Sequence, residues 1–324
     1  MNTQSSLSIT RRRFLSTTAA TAAAACLTPR SLFAQDAQEA QPPAMVVQAR
    51  AAAATAKITT QKLRGNISVL LGSGGNIAVL PGPQGKLLVD TGISTSRPQI
   101  TEALAAISAD PIEHLINTHW HYDHTDGNPW IHSTGATIIA HEKTRFRLSN
   151  PQTIAIFNAT FLPLPADARP TVTFADDHTL ETNGTTLHLQ HYDPAHTDTD
   201  IAVHFTDADI LHTGDTWFNG VYPFIDYSTG GHIDGMIRAT QRNLATGTTS
   251  TILIPGHGPV GNKSQLSESL DMLTAIRDKV AALKKQGRTI DEAIAAKPTA
   301  QYDEKFGKGF VKPDMFARLI YQGV

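Results

Sequence analysis

The chain has 324 residues, 40% of them hydrophobic in type, enough to bury one large core or two modest ones. A formal net charge of -2 leaves no broad basic surface for nucleic acid and no acidic tail. With one cysteine, Cys26, there is no intrachain disulfide and no multi-thiolate metal cage.

The first feature in chain order is "TRRRFLS", residues 10–16, followed by a weakly apolar Ala/Thr run, Pro29 and "SLFA". Basic, then apolar, then small residues is the order of an export signal, and the arginine pair before Phe14 resembles a twin-arginine signal. The apolar run is too short and too rich in Thr and Ala to span a bilayer. Residues 1–34 are therefore expected to be a signal cut after Ala34. The mature protein would be periplasmic or secreted, with the twin-arginine export machinery as its partner. Cys26 falls inside this segment, and Ala23, Ala24 and Ala25 ahead of it lack the leucine usual before a lipidated cysteine. Residues 35–62, rich in Ala, Gln and Pro, read as a leader or linker, helical around residues 45–56.

From Asn66 short apolar runs alternate with Gly, Pro and Asn. "ISVLL", "NIAVL" and "KLLVD" predict three strands joined by the turns "GSGGN" and "PGPQG". "RPQITEALAAIS" has helical spacing, and "IEHLINTH" and "ATIIAH" read as strands, the second followed by a short helix. Further strands are expected at "TLHLQHY", "IAVHF", "DILHTGD" and "STILIPGHG". Leu266, Leu270, Leu273, Ile276, Val280 and Leu283 mark one face of an amphipathic helix over residues 264–286. Residues 149–174 are irregular and Pro-rich, which suits either a substrate loop or a plain surface insertion. The whole predicts an α/β domain over residues 63–324 with helices at its carboxyl end.

The densest chemistry is "NTHWHYDHTDGN", residues 117–128, with three histidines and two aspartates. His119 and His121, two residues apart on an extended turn, project toward one ion, and Asp123 and His124 reach a second. Imidazole and carboxylate without thiolate suit zinc. Any one of these histidines alone reads as an ordinary surface or core residue. Three later positions raise the signal: His196 in "DPAHTDTD", Asp215 in "HTGDTWFNG" and His257 in "IPGHGPV" each follow a strand in a short turn. His114, His132, His141, His188, His191, His204 and His212 lack such support, Asp198 and Asp200 read as turn residues, and "GSGGN" lacks the Lys and Ser/Thr of a phosphate loop.

Together His119, His121, Asp123 and His124 as H-x-H-x-D-H, with His196, Asp215, His257 and the early "LVDTG" (residues 88–92), resemble the metallo-β-lactamase-fold superfamily across residues 66–285. The resemblance implies an αβ/βα four-layer sandwich. It assigns one metal to His119, His121 and His196, a second to Asp123, His124 and His257, and a bridging role to Asp215. Asp90 would fix the loop that presents the histidines. The implied cofactor is two zinc ions per chain, with iron or manganese as substitutes. The implied reaction is attack of a metal-bound hydroxide on an ester-, thioester-, lactone- or amide-like bond of a small molecule, with Asp123 orienting the hydroxide or passing a proton to the leaving group.

The best-known β-lactam-hydrolysing relatives carry cysteine where this chain has Asp215; a bridging aspartate is typical of members acting on thioesters, lactones or phosphodiesters. A true β-lactamase, a mononuclear iron persulfide dioxygenase and a non-catalytic metal-binding protein are the competing readings. Beyond Asp215, Trp217, Phe218, Tyr222, Phe224, Asp226, Tyr227 and His232 are expected to wall a small-molecule pocket, the alternative being that the rings pack the sandwich edge.

Overall fold

A computed structural model describes residues 42–324. The segment read as an export signal, its cut after Ala34 and Cys26 lie outside the described residues. Among the described residues no helix is long and apolar enough to cross a membrane.

Two sheets face each other. The first joins β1 (Thr59–Lys62), β2 (Ser68–Leu71), β3 (Ile77–Leu80), β4 (Lys86–Val89), β5 (Ile112–Ile116) and β6 (Thr137–His141) in that order. A small hairpin, β7 (Gln152–Ile154) and β8 (Ala159–Phe161), stands apart, and β9 (Val172–Phe174) then closes the first sheet beside β6. The second sheet runs β10 (His178–Thr182), β11 (Thr185–His191), β12 (Ile201–Phe205), β13 (Ile210–His212) and β14 (Ile252–Ile254). Chain direction is antiparallel from β1 to β4 and parallel from β4 through β5 and β6 to β9. In the second sheet only β13 and β14 run parallel.

Three apolar clusters define the layers. Between the sheets, Val69, Leu87, Val89 and Ile116 meet Leu187, Leu189, Val203, Phe205 and Ile254. On the outer face of the first sheet, Leu70, Ile77, Val79 and Leu115 pack under Ile100 and Leu104 of α2 (Arg97–Ile107), which follows α1 (Ala44–Ala53). Behind the second sheet, Leu211 and Leu253 lie under a helical layer. This is the expected αβ/βα sandwich. β3 and β4 are buried on both faces, so β3, and β4 after Lys86, are continuous apolar runs rather than alternating ones.

Short α3 (Tyr122–Thr125) and α4 (Asn128–His132) follow β5, and α5 (Glu142–Ser149) follows β6. The outer layer on the second sheet is α6 (Ile233–Ala245), α7 (Lys263–Lys285), α8 (Ile290–Ala295), α9 (Asp303–Phe306) and α10 (Pro313–Gly323). α7 starts at a capping box, Asn262 with Gln265, and buries Leu266, Leu273, Ile276 and Val280 of the predicted face.

Residues 44–62, set apart above as part of a leader, belong to the packed structure. β1 pairs along its whole length with β2. α1 is held by Arg50, whose Nε donates to Asp126 at 3.1 Å while its Nη2 pairs with the other carboxylate oxygen. Asp126 also accepts from Ser94 N and Oγ, so one buried carboxylate ties α1 to the loop that carries the histidines. Arg50→Ala should lower stability by about 1 kcal/mol, since the guanidinium is partly solvated, and the melting temperature by roughly 2–4 °C in a scan of the metal-free protein. The irregular stretch 149–174 resolves into the β7–β8 hairpin and the edge strand β9.

Candidate metal centre

Every candidate ligand sits just beyond the carboxyl end of a strand, on one rim shared by both sheets. The β5 strand leads into the histidine loop, and side-chain amides of Asn117 and Asn128 bond each other at 2.8 and 3.1 Å to close that loop. His119 lies in the bend after β5, and His121, extended, is the residue before α3 begins. The change from extended to helical backbone at Tyr122 separates them from Asp123 and His124. The β11–β12, β13 and β14 loops then bring His196, Asp215 and His257 to the same place.

The result is two sets of donor atoms, His119–His121–His196–Asp215 and Asp123–His124–His257, the atoms of each within 4.8 Å of one another. In the first, His196 Nε2 lies 2.8 Å from His121 Nδ1 and 3.4 Å from Asp215 Oδ2, with His119 Nε2 at 3.8 Å from that oxygen. In the second, His257 Nε2 is 3.2 Å from Asp123 Oδ2 and 3.3 Å from His124 Nε2. Asp215 faces both, with Oδ1 at 3.2 Å from His124 Nε2 and Oδ2 at 3.4 Å from His257 Nε2.

Hydrogen bonding on the far side of each ring says which nitrogen is bare. His196 Nδ1 donates to the Phe224 carbonyl at 2.7 Å, and His121 Nε2 to Asp226 Oδ2 at 3.2 Å. His124 Nδ1 donates to Asp90 Oδ2 at 2.8 Å. Thr118 Oγ1 donates to Asp90 and so accepts from His119 Nδ1 at 3.0 Å. In the first set, rings with those far-side protons present lone pairs inward, so His196 Nε2 and His121 Nδ1 repel unless a cation stands between them. His119 Nε2 and Asp215 Oδ1 are buried with no hydrogen-bond partner. Donors of this type, paired bare acceptors and orphaned buried atoms fit a pair of divalent cations.

Electrostatics differ between the sets. Burial, together with the neighbouring His124, holds His119 well below the usual imidazole range, and burial takes His196 down to about 4. His124 goes the other way: burial would lower it, but Asp215, Asp90 and Asp123 hold it well above its ordinary value. His257 is likewise raised to about 9, against its burial, by Asp215 and Asp123. Despite burial, the surrounding imidazoles hold Asp215 well below the usual carboxylate range, and Asp123 is down to about 2 beside His124 and His257.

The sign of the pH dependence follows. The raised histidines are protonated in the metal-free protein near neutrality, and a cation must displace those protons. Apparent metal affinity should therefore rise with pH up to about 9, the value for His257. Calorimetric titration at pH 7 in two buffers of different ionisation heat should read roughly two protons released on loading. No release would mean that His124 and His257 are not displaced by metal.

Supporting residues hold this arrangement. Asp90, fully buried, accepts from Thr118 N and Oγ1 and from His124. The buried Asp200 accepts from the backbone N–H of His196 and Thr197, so it shapes the turn as expected and is not a donor to the cluster. Two glycines are required by close approach: a Cβ at Gly75, in the "GSGGN" turn, would run into the His124 ring, and one at Gly256 into Asp215 Oδ1.

A cavity of about 640 Å³ opens onto the cluster, reaching His121, Asp123, His196, Asp215 and His257. It lies within the range of small-molecule sites. Of the pocket residues expected after Asp215, Phe218, Tyr222 and Phe224 line it. The other four do something else. Trp217 is buried under α7, its Nε1 donating to Ser269 Oγ at 2.9 Å. Tyr227 packs against the carboxyl-terminal helix layer near Gly323. His232 caps α6, accepting from Asp234 N, and Asp226 holds His121. Unforeseen lining residues are Phe157 of the 149–174 stretch, Phe310, and Met45, Gln48 and Ala49 of α1.

The model of the metallo-beta-lactamase superfamily matches residues 71–282. A hydroxyacylglutathione hydrolase of Polaromonas sp. is 28% identical over 225 residues, covering 68% of this chain and 76% of the relative. Among solved structures, a metallo-beta-lactamase from Pontibacter korlensis superposes with a TM-score of 0.54 at 20% identity, over 67% of this chain and 99% of that one. The sec-alkylsulfatase Pisa1 from Pseudomonas sp. gives 0.61 at 15% identity over 88% of this chain, which spans only 53% of the sulfatase. These structural likenesses concern the fold. The strand-end His/Asp cluster, the sandwich and the match over most of the chain lead to one assignment: this chain is a hydrolase belonging to the metallo-beta-lactamase superfamily.

Proposed function

We propose that the protein is a dinuclear zinc hydrolase that opens an ester-, thioester-, lactone- or amide-like bond of a small molecule. The observation that carries this reading is the Asp215 carboxylate, which stands between two donor sets with one buried oxygen unpartnered. His119, His121 and His196 would hold one cation, Asp123, His124 and His257 the other, and Asp215 both. Two such cations supply an acidified water and polarise the substrate's carbonyl oxygen.

The remaining roles belong to the chain. Asp226, Asp90 and the Phe224 carbonyl fix the ring orientations, so no reorganisation is needed as charge develops. Asp123 faces the cavity and is more exposed than Asp215, and its carboxylate, held ionised beside His124 and His257, is placed to orient the attacking water. The arginine run before Phe14 supports export through the twin-arginine machinery. Replacing Arg11 and Arg12 by lysine should retain the precursor in the cytoplasm, as read by fractionation.

A panel of aryl esters, lactones, thioesters and a chromogenic cephalosporin tests the reaction with zinc-loaded mature protein. The reading expects a kcat/KM on the order of 10⁴ M⁻¹s⁻¹ or more on one of the first three classes. Equal efficiency on the cephalosporin would make the protein a lactamase, and full activity in metal-free His119→Ala would sink the mechanism.

A further inference from the structure

The cavity is built as a ladder of rings leading away from the metal centre. Phe224 lies with its ring centroid 6.0 Å from that of His196 and 6.1 Å from that of His121. Phe157 follows at 5.1 Å from Phe224, and Phe310 at 5.5 Å from Phe157. Phe310 is 66% exposed, so the ladder ends at the surface. The three rings come from separate segments: the loop after Asp215, the β7–β8 connection and the stretch between α9 and α10. Their meeting is thus a product of the tertiary fold rather than of one aromatic-rich sequence. Met45 and Ala49 of α1 add further apolar lining.

Charge is as informative as shape. Among the described residues lining the cavity there is no lysine or arginine. Arg50, on α1 beside the lining residue Ala49, is spent on Asp126. The lining carboxylates are Asp123 and Asp215 of the cluster itself. A substrate whose remote end carries carboxylates would lose its hydration there without meeting a cation. Exposed aromatic and aliphatic side chains at a pocket mouth mark a binding groove for an apolar group, and Ile156, next to Phe157 in the chain, is exposed as well.

We propose that the substrate carries a neutral, apolar alkyl or aryl chain of several carbons, which lies from the cluster outward along Phe224, Phe157 and Phe310. This rests on the hydrolase reading above and narrows it: glutathione-type thioesters and carboxylate-bearing β-lactams are poor fits, and esters or lactones with an apolar tail are good ones.

The first test is a p-nitrophenyl ester series from acetate to octanoate with zinc-loaded protein. If about four added methylenes are buried, kcat/KM rises roughly 100-fold across the series, mainly through KM. Phe157→Ala and Phe310→Ser each cut the octanoate-to-acetate ratio about tenfold. A flat or falling series, or ratios untouched by both substitutions, overturns the proposal.

The second test needs no turnover. N-phenyl-1-naphthylamine, a neutral fluorophore, should bind the same protein saturably, be displaced by n-decanol and not by glutathione, and bind at least tenfold more weakly to Phe157→Ala. Absence of saturable binding, or displacement by glutathione alone, contradicts the apolar ladder even if esters are cleaved. Probe binding without turnover of any ester, lactone, thioester or amide leaves the ladder standing and removes the proposed reaction, so the two failures are distinct.

Discussion

Asp215→Asn is expected to lower kcat by roughly 10³-fold or more and to reduce bound metal from two ions per chain toward one. The substitution keeps the shape of the side chain and changes only its charge and one donor group. In the folded chain the carboxylate lies 3.4 Å from both His196 Nε2 and His257 Nε2 and 3.2 Å from His124 Nε2. An amide presents an N–H₂ where both oxygens are needed, so it serves one donor set at most. The metal-free protein should also lose stability at neutral pH, because the ionised carboxylate held by His124 and His257 is gone. Plasma emission metal analysis beside steady-state kinetics checks this. Two bound metals with kcat within tenfold of the parent would mean that Asp215 is not shared.

The second large effect is on folding as well as on metal. Asp90 accepts from Thr118 N at 2.8 Å, Thr118 Oγ1 at 2.7 Å and His124 Nδ1 at 2.8 Å, all in the buried interior. Asp90→Ala strands those donors and leaves alanine at a φ of +65°, where a Cβ without a polar partner is strained. The expected cost is about 3–5 kcal/mol, or a fall in melting temperature of roughly 10 °C. Metal affinity should fall by about 10–100-fold, because His124 loses the partner that orients its ring. A competitive titration against a chromophoric chelator, beside thermal unfolding, reads both. An unchanged affinity would show that the Asp90–His124 bond is not what orients the ligand.

Much of the sandwich is legible in the chain because turns and periodicity agree. β2, β3 and β4 stand between Gly- and Pro-marked turns, and α7 combines a capping box with an apolar face. α6 went unread although Ile233, Met236, Ile237 and Thr240 form its buried face at helical spacing. The nearby aromatics drew that region toward a loop, and Gly235 weakened the helical signal; its place there is set by the backbone of Pro194, which leaves no room for a Cβ. The helical reading of residues 45–56 matches α1, yet α1 and β1 resemble a linker because Ala-rich and polar stretches carry little pattern of burial. What orders them is long-range, the Arg50–Asp126 pair and the ladder with β2.

The donor set is visible in sequence for a similar reason. His and Asp past strand ends carry a local signature, and His119 and His121 stand two residues apart in one short loop. Apart from Asp90 in "LVDTG", their supports do not. Asp226 reads locally as a turn residue, accepting from Ser228 N at 3.0 Å, and nothing nearby announces its bond to His121 at a sequence separation of 105. Trp217 looked like pocket wall, yet its indole N–H finds Ser269 and its ring packs behind the second sheet. Phe157 and Phe310 reach the cavity only through tertiary packing, and no spacing rule joins them.

The most direct measurement is a zinc titration. Mature protein stripped with a chelator is titrated with zinc while turnover of the best ester or lactone is followed. Activity that climbs until two equivalents are bound, and then holds, is the predicted result. Full activity at one equivalent, or recovery with one iron per chain and no recovery with zinc, would contradict a shared two-metal centre at Asp215.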